Sequence, residues 1–222
     1  SIALIFFLCK NFFMIIWLAS YPKSGNTWVR LFLSSYFLEK NKKFELNTID
    51  NIKGFPNPKI LQSLNVNTNN FIDIAENWIP MQEYLNLQNN KFILLKTHNA
   101  LCTVNNNKFT NKENTSGVIH IIRDPRDVIL SYADYLGHKD YNKTLKIILS
   151  NHGEYQDMGD YKYKKSIFGS WADHYKSWRD FKDVQRLLIK YEDLILKPNN
   201  TFEKIIIFLN KINGTSIDKN KI

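Results

Sequence analysis

Continuous apolar runs of strand length alternate with stretches of helical spacing along most of the chain. Ile15-Ile16-Trp17-Leu18-Ala19 is the first such run, and it stops at Ser20. A tight turn carrying Lys23, Ser24 and Gly25 follows. Val29, Phe32, Leu33 and Tyr36 then fall at i, i+3, i+4 and i+7, one face of a buried helix. Lys40 to Asn70 is polar, broken by the turn-rich Gly54-Phe55-Pro56-Asn57-Pro58. Pro80 to Leu87 reads as a short helix with proline in its first turn. Phe92 to Leu95 is a second apolar strand ending in Lys96-Thr97-His98, and Asn105 to Ser116 reads as a polar loop. Val118 to Ile122 is a third strand, ending at Arg123. Asp124 can cap the helix that follows and Pro125 suits its first position; the spacing turns Val128, Ile129, Tyr132 and Leu136 inward. Tyr141 to Tyr163 reads as helix then loop. Phe168, Trp171, Tyr175 and Trp178 recur at helical spacing, a pattern expected of core. Arg186 to Tyr191 is a fourth strand, and Asn200 with Glu203 three residues on offers a capping pair for the last helix.

Strands that are continuously apolar and alternate with helices predict an α/β fold, a parallel β-sheet flanked by helices on both faces. No repeat or linker divides it. In such a sheet, ligands sit beyond the carboxyl ends of the strands. The first strand delivers Lys23 there, the second Lys96 and His98, the third Arg123 and the fourth Tyr191. Three cations and a histidine therefore meet along one edge.

The strand–turn–helix around Lys23 aims backbone N–H groups and the positive end of a helix at one point, an anion site to which Lys23 adds a full charge. It is not a Walker A loop, because there is one glycine and the lysine precedes it. Tyr21-Pro22-Lys23-Ser24-Gly25-Asn26-Thr27-Trp28 instead resembles the 5′-phosphosulfate loop of the PAPS-dependent sulfotransferases, Tyr-Pro-Lys-Ser-Gly-Thr-Thr-Trp in many members, with Asn26 as the one departure. The resemblance extends by motif order over residues 14 to 210. Lys96-Thr97-His98 is similar to the segment that holds the family's catalytic base. Arg123 and Ser131 resemble the pair that binds the 3′-phosphate, Tyr191-Glu192-Asp193 the segment near the adenosine, and Trp28 the tryptophan packed on adenine.

The resemblance implies a P-loop nucleoside triphosphate hydrolase-like fold and sulfuryl transfer from 3′-phosphoadenosine 5′-phosphosulfate (PAPS) to a hydroxyl or amine. It implies Lys23, Lys96 and His98 as catalytic residues. Lys23, Ser24, Gly25, Asn26, Thr27, Trp28, Arg123, Ser131 and Tyr191 are the implied donor-binding residues. Sulfuryl transfer in line is governed by positioning and charge and calls for no metal. The acceptor is a small molecule or glycan. The family's later Arg-Lys-Gly-x-x-Gly-Asp-Trp segment has no match, so the expected domain, residues 14–222, is incomplete at its C-terminus. The alternative is a non-catalytic nucleotide-binding fragment of the same fold.

Composition narrows the remaining choices. With 222 residues, 44% hydrophobic and 14% aromatic, the chain can form one well-packed domain. A net charge of +9 favours anionic ligands. Lysine and asparagine are spread evenly with few arginines, and no basic cluster interleaved with aromatics points to nucleic acid. Two cysteines in unlike contexts, Cys9 and Cys102, make no disulfide framework and suit a cytoplasmic location. No His or Cys pairing has metal-ligand spacing. Residues 1–13 are apolar around Lys10 and Asn11, and are expected to be an extension outside the core, with no stable membrane association. A membrane anchor is the alternative reading.

Overall fold

A computed structural model describes residues 14–38, 46–89, 92–157 and 162–214. The elements run in the order β1 (Ile15–Ser20), α1 (Asn26–Leu38), a 3-10 helix (Leu46–Asn51), α2 (Pro58–Ser63), α3 (Phe71–Glu76), α4 (Trp78–Gln88), β2 (Ile93–Thr97), β3 (Thr103–Val104), β4 (Asn107–Lys108) and β5 (Thr115–Ile122). They continue with α5 (Pro125–Tyr135), α6 (Tyr141–Leu149), β6 (His152–Asp157), β7 (Lys162–Gly169), α7 (Trp171–Arg179), β8 (Gln185–Lys190), α8 (Tyr191–Leu196) and α9 (Pro198–Asn213).

The central sheet has the order β2-β1-β5-β8, and all three pairings are parallel. Every residue of β1 is buried, because alternate side chains of an inner strand face opposite layers. Ile15, Trp17 and Ala19 pack on Leu61, Ile74, Trp78, Met81 and Trp178. Ile16 and Leu18 pack on Val29, Leu33, Ile205, Ile206 and Leu209. The expected α/β sheet with helices on both faces is thus present. Full burial of each large apolar side chain stabilises by about 1.5–3 kcal/mol. Trp17 also satisfies its indole N–H, which donates to Thr115 Oγ1 at 3.0 Å. α9 lies so close to β5 that a Cβ at Gly117 would press on the Ile212 Cδ1 methyl and the Phe208 ring, and those side chains would have to shift.

Asp124 caps α5 as expected, its carboxylate accepting from the Arg126 N–H at 2.9 Å, with Pro125 in the first turn. Several elements differ from the pattern. The stretch after α6 is not a loop: β6 and β7 form an antiparallel hairpin. Phe168 lies on that hairpin, and the helical spacing begins only at Trp171. β4, which pairs with β3 just ahead of the loop, and the start of β5 occupy part of the predicted polar loop. Leu136 ends α5 exposed, because the helix stops there. α4 starts two residues before Pro80, and α9 opens at Pro198, not at Asn200. The polar stretch before α2 gives the sheet a further edge: Lys96 N–H donates to Lys53 O and Phe55 N–H donates to Lys96 O, both at 2.9 Å. Among the described residues, no helix is long and apolar enough to cross a membrane. The expectations for residues 1–13, Cys9 included, lie outside the described residues.

Candidate active site

The four parallel strands end together, so the residues that follow them share one edge. β1 leads into the loop Tyr21–Gly25 and then directly into α1. Tyr21 anchors the loop from below. It is buried, its ring packs edge-on against His152, Phe168 and His174, and its hydroxyl lies 3.3 Å from His152 Nε2. His152 Nδ1 faces the Ser150 carbonyl at 3.2 Å and so carries the proton, leaving Nε2 to accept from the Tyr21 hydroxyl. Burial, with Tyr132 nearby, pushes the Tyr21 hydroxyl well above the usual tyrosine range.

The turn needs two residues at positive φ, Lys23 at 65° and Gly25 at 97°. A non-glycine residue held there costs about 1–3 kcal/mol and persists only where its surroundings fix it. Arg123 does the fixing, its Nη1 donating to the Lys23 carbonyl at 3.1 Å. The Arg123 guanidinium in turn lies over the Tyr191 ring at 4.2 Å, and Tyr191 closes against Gly25. On the other side of the loop, Asn26 donates to the Leu18 carbonyl and to Ser20 Oγ, both at 3.1 Å. The residue that departs from the family motif therefore ties α1 back to β1.

His98 begins the segment after β2. Its Nδ1 lies 2.7 Å from the Ser20 carbonyl. A carbonyl only accepts, so Nδ1 carries the proton and Nε2 is the basic nitrogen. Asn99 holds this segment against β7: its Oδ1 accepts from Ile167 N–H and its backbone carbonyl accepts from Trp178 Nε1. Alternation along β2 puts Lys96 on the same sheet face as Leu94, the face covered by α1.

These groups enclose a cavity of about 290 Å³ lined by Lys23, Gly25, Asn26, Thr27, Arg30, Lys96 and His98, with Tyr132, Tyr135 and Phe168 among its walls. Among the described residues, no carboxylate lines it. Lys23 Nζ rests over the Tyr135 ring at 4.8 Å. Ser24 is fully buried beside it with an unpartnered hydroxyl, and Arg123 Nε is likewise buried without a partner. At the start of α1 the Trp28 and Val29 N–H groups bond the Gly25 carbonyl at 3.1 and 3.4 Å, and the Asn26 and Thr27 N–H groups ahead of them have no intrahelical acceptor. Orphaned donors around a cationic loop fit an anionic phosphate or sulfate. Among the described residues, no cluster of His, Cys, Asp and Glu is arranged to hold a metal.

The cavity brings together Lys23, Gly25, Asn26, Thr27, Lys96 and His98. Ser24, Arg123 and Tyr191 adjoin the loop without lining the cavity. Trp28 lies outside it, 36% exposed and edge-on to Phe202. Ser131 is half-buried on α5, outside the lining. The sequence pattern missed Arg30, Tyr135 and Phe168 as site residues and treated Tyr132 as core only. Arg30 had one available signal, a basic residue four positions after Asn26 on the helix that opens the site.

Comparison with known proteins decides the ancestry. Residues 15–220 match the family model described as the sulfotransferase domain. The chain belongs to the sulfotransferase family. Sulfotransferase 1C2 of Homo sapiens is 22% identical over 91% of this chain and 61% of its own length. Sulfotransferase 1B1 of Canis lupus familiaris is 27% identical over the same shares, 91% and 61%. The 3-alpha-hydroxysteroid sulfotransferase of Cavia porcellus is 32% identical over 42% of this chain and 31% of its own. This sulfotransferase chain thus spans less than two thirds of the length of each of these relatives. The crystal structure of retinol dehydratase in a complex with retinol and PAP shares the fold, with a TM-score of 0.52 and 16% identity over 93% of this chain and 62% of that one.

Proposed function

We propose that this chain moves a sulfuryl group in line from PAPS to a hydroxyl or amine of a small-molecule or glycan acceptor, in the cytoplasm. The observation that carries the reading is the placement of the Lys23 loop between two groups of residues. Arg123 and Tyr191 lie on its β5/β8 side, and Lys96 and His98 on its β2 side. A donor nucleotide on the first side and an acceptor on the second would meet over the loop. The family membership and the PAP bound in the retinol dehydratase structure support the choice of donor.

Each residue then has a chemical task. The N–H groups at the start of α1, the Ser24 hydroxyl and Lys23 hold the 5′-phosphosulfate, whose contribution is the sulfuryl group. Lys23 stabilises the negative charge that gathers on the departing phosphate oxygen. Lys96 holds sulfuryl oxygens. His98 Nε2 takes the acceptor's proton as the new O–S or N–S bond forms and the bridging S–O bond breaks, a role worth about 10²–10⁴-fold in rate. Arg123, with Ser131 one turn or two into α5, receives the 3′-phosphate. Trp28 supplies an exposed aromatic face for adenine.

Binding of adenosine 3′,5′-bisphosphate and AMP by calorimetry tests the donor assignment. The bisphosphate should bind more tightly, and Arg123→Ala should erase the difference by removing a charge-assisted contact. Equal affinities in the unmodified protein would refute it.

A further inference from the structure

Arg30 has no task in that mechanism, yet it lines the same cavity as Lys23, Lys96 and His98. It stands one helical turn past Asn26, on the same face of α1, about 6 Å further from the end of the helix that receives phosphate. Its guanidinium does not swing freely. Nη2 donates to the Ile49 carbonyl at 2.8 Å and to the Ile52 carbonyl at 2.7 Å. Those carbonyls belong to the segment whose next residues, Lys53 and Phe55, pair with the backbone of Lys96. Arg30 is thereby drawn to the β2 side of the loop, the side of Lys96 and His98. Arg123 and Tyr191 are on the other side.

Among the described residues, the charge on Arg30 is poorly compensated. An arginine keeps its proton in a protein. Its Nε is buried without a partner. Among the described residues it makes no ion pair, and Asp50, the carboxylate that acts on it, is exposed to solvent. Burial lowers its pKa from the ordinary arginine value, while Asp50 acts in the opposite direction. Among the described residues the carboxylate acting on this half-buried cation is solvent-exposed, so a ligand that brings a negative charge into the cavity would be favoured there. Tyr132, Tyr135 and Phe168 give the same cavity apolar walls.

We propose that Arg30 is a specificity-determining residue that receives an anionic group of the acceptor, so that hydroxylated acids are preferred to their neutral isosteres. The proposal rests on the donor and acceptor sides assigned under the proposed function. The acceptor's hydroxyl meets His98, its ring lies among the aromatic side chains, and its carboxylate pairs with the Arg30 guanidinium.

The test is calorimetry on the full chain saturated with adenosine 3′,5′-bisphosphate, titrated with 4-hydroxyphenylacetate and with the neutral 4-hydroxyphenylacetamide. The acid should bind about tenfold or more tightly, since a charged hydrogen bond contributes about 1.5–3 kcal/mol and each 1.4 kcal/mol is a factor of ten. Arg30→Gln should bring the two ligands within about twofold of each other, Arg30→Lys should restore part of the preference, and neither should change bisphosphate affinity. Circular dichroism of both variants checks that they fold. Four results overturn the proposal: equal binding of acid and amide in the unmodified protein, binding of neither, a preference that survives Arg30→Gln, or a loss of bisphosphate affinity in Arg30→Gln, which would assign the guanidinium to the donor. If the bisphosphate itself fails to bind, the donor reading fails. The acid-to-amide ratio, measured on the protein alone, then still decides the role of Arg30.

Discussion

A Gly25→Ala substitution adds one methyl group to the loop, and the structure specifies what that group meets. At φ 97° an L-residue is strained by about 1–3 kcal/mol. The added Cβ would stand 2.6 Å from Tyr191 Cδ2 and 3.1 Å from Cε2, so the ring must move. Overpacking of this kind costs about 1–3 kcal/mol more. Together the two effects predict a loss of about 2–6 kcal/mol. The damage should not stay local, because the Tyr191 ring carries the Arg123 guanidinium, and Arg123 fixes the Lys23 carbonyl. Bisphosphate affinity should therefore fall at least about tenfold. Gly54→Ala is the matched control. Gly54 is not at positive φ, and its added Cβ would meet nothing within 4 Å, so stability should stay within about 0.5 kcal/mol. Urea unfolding and bisphosphate calorimetry on both variants read the two quantities. Equal stability and equal affinity in the two variants would refute the reasoning.

Further expectations concern the base, the loop lysine and the buried histidines. His98→Gln should slow transfer by about 10²–10⁴-fold in single-turnover experiments while bisphosphate affinity is unchanged; full transfer to a hydroxyl acceptor would make His98 structural. Lys23→Ala should slow the chemical step and also weaken PAPS, and an unaltered donor affinity would contradict its contact with phosphate oxygens. His120 and His174 are fully buried, and burial lowers the pKa of each to about 3. The unfolded chain protonates them near 6.5. Between those values the unfolded state binds more protons, so their stabilising contribution is complete above pH 6.5 and is lost as pH falls toward 3. At about 1.4 kcal/mol per pH unit for each residue, urea unfolding at pH 5 should show roughly 4 kcal/mol less stability than at pH 7. A flat profile would contradict the neutral, buried state of both.

The sheet was legible in the sequence because its inner strands are buried on both faces. Ile15–Ser20 and Val118–Ile122 must be apolar at nearly every position, which marks both the strands and the edge where they end. The loop was legible for a different reason: Tyr21 to Trp28 resembles the 5′-phosphosulfate loop of the sulfotransferases at every position but Asn26, in a strand–turn–helix setting that suits an anion. The hairpin of β6 and β7 was not legible. His152-Gly153-Glu154-Tyr155-Gln156-Asp157 and Lys162 to Lys165 carry polar residues almost throughout, so backbone pairing between the two strands leaves no apolar pattern. Phe168 kept helical spacing with Trp171 by coincidence, which hid its place beside His98. Arg30 was missed because periodicity assigns a charged residue on an amphipathic helix to solvent. Here two backbone carbonyls hold it in the cavity wall.

Sulfuryl transfer at the edge shared by Lys23, Lys96 and His98 can be read out by mass spectrometry of acceptors. The protein is incubated with PAPS and a panel of hydroxyl and amine compounds, with ATP in place of PAPS as the comparison. The expected result is a sulfated acceptor together with adenosine 3′,5′-bisphosphate from PAPS, no phosphorylated acceptor from ATP, and loss of the sulfated product in His98→Gln. A phosphorylated acceptor from ATP, or sulfated product formed at full rate without His98, would contradict it.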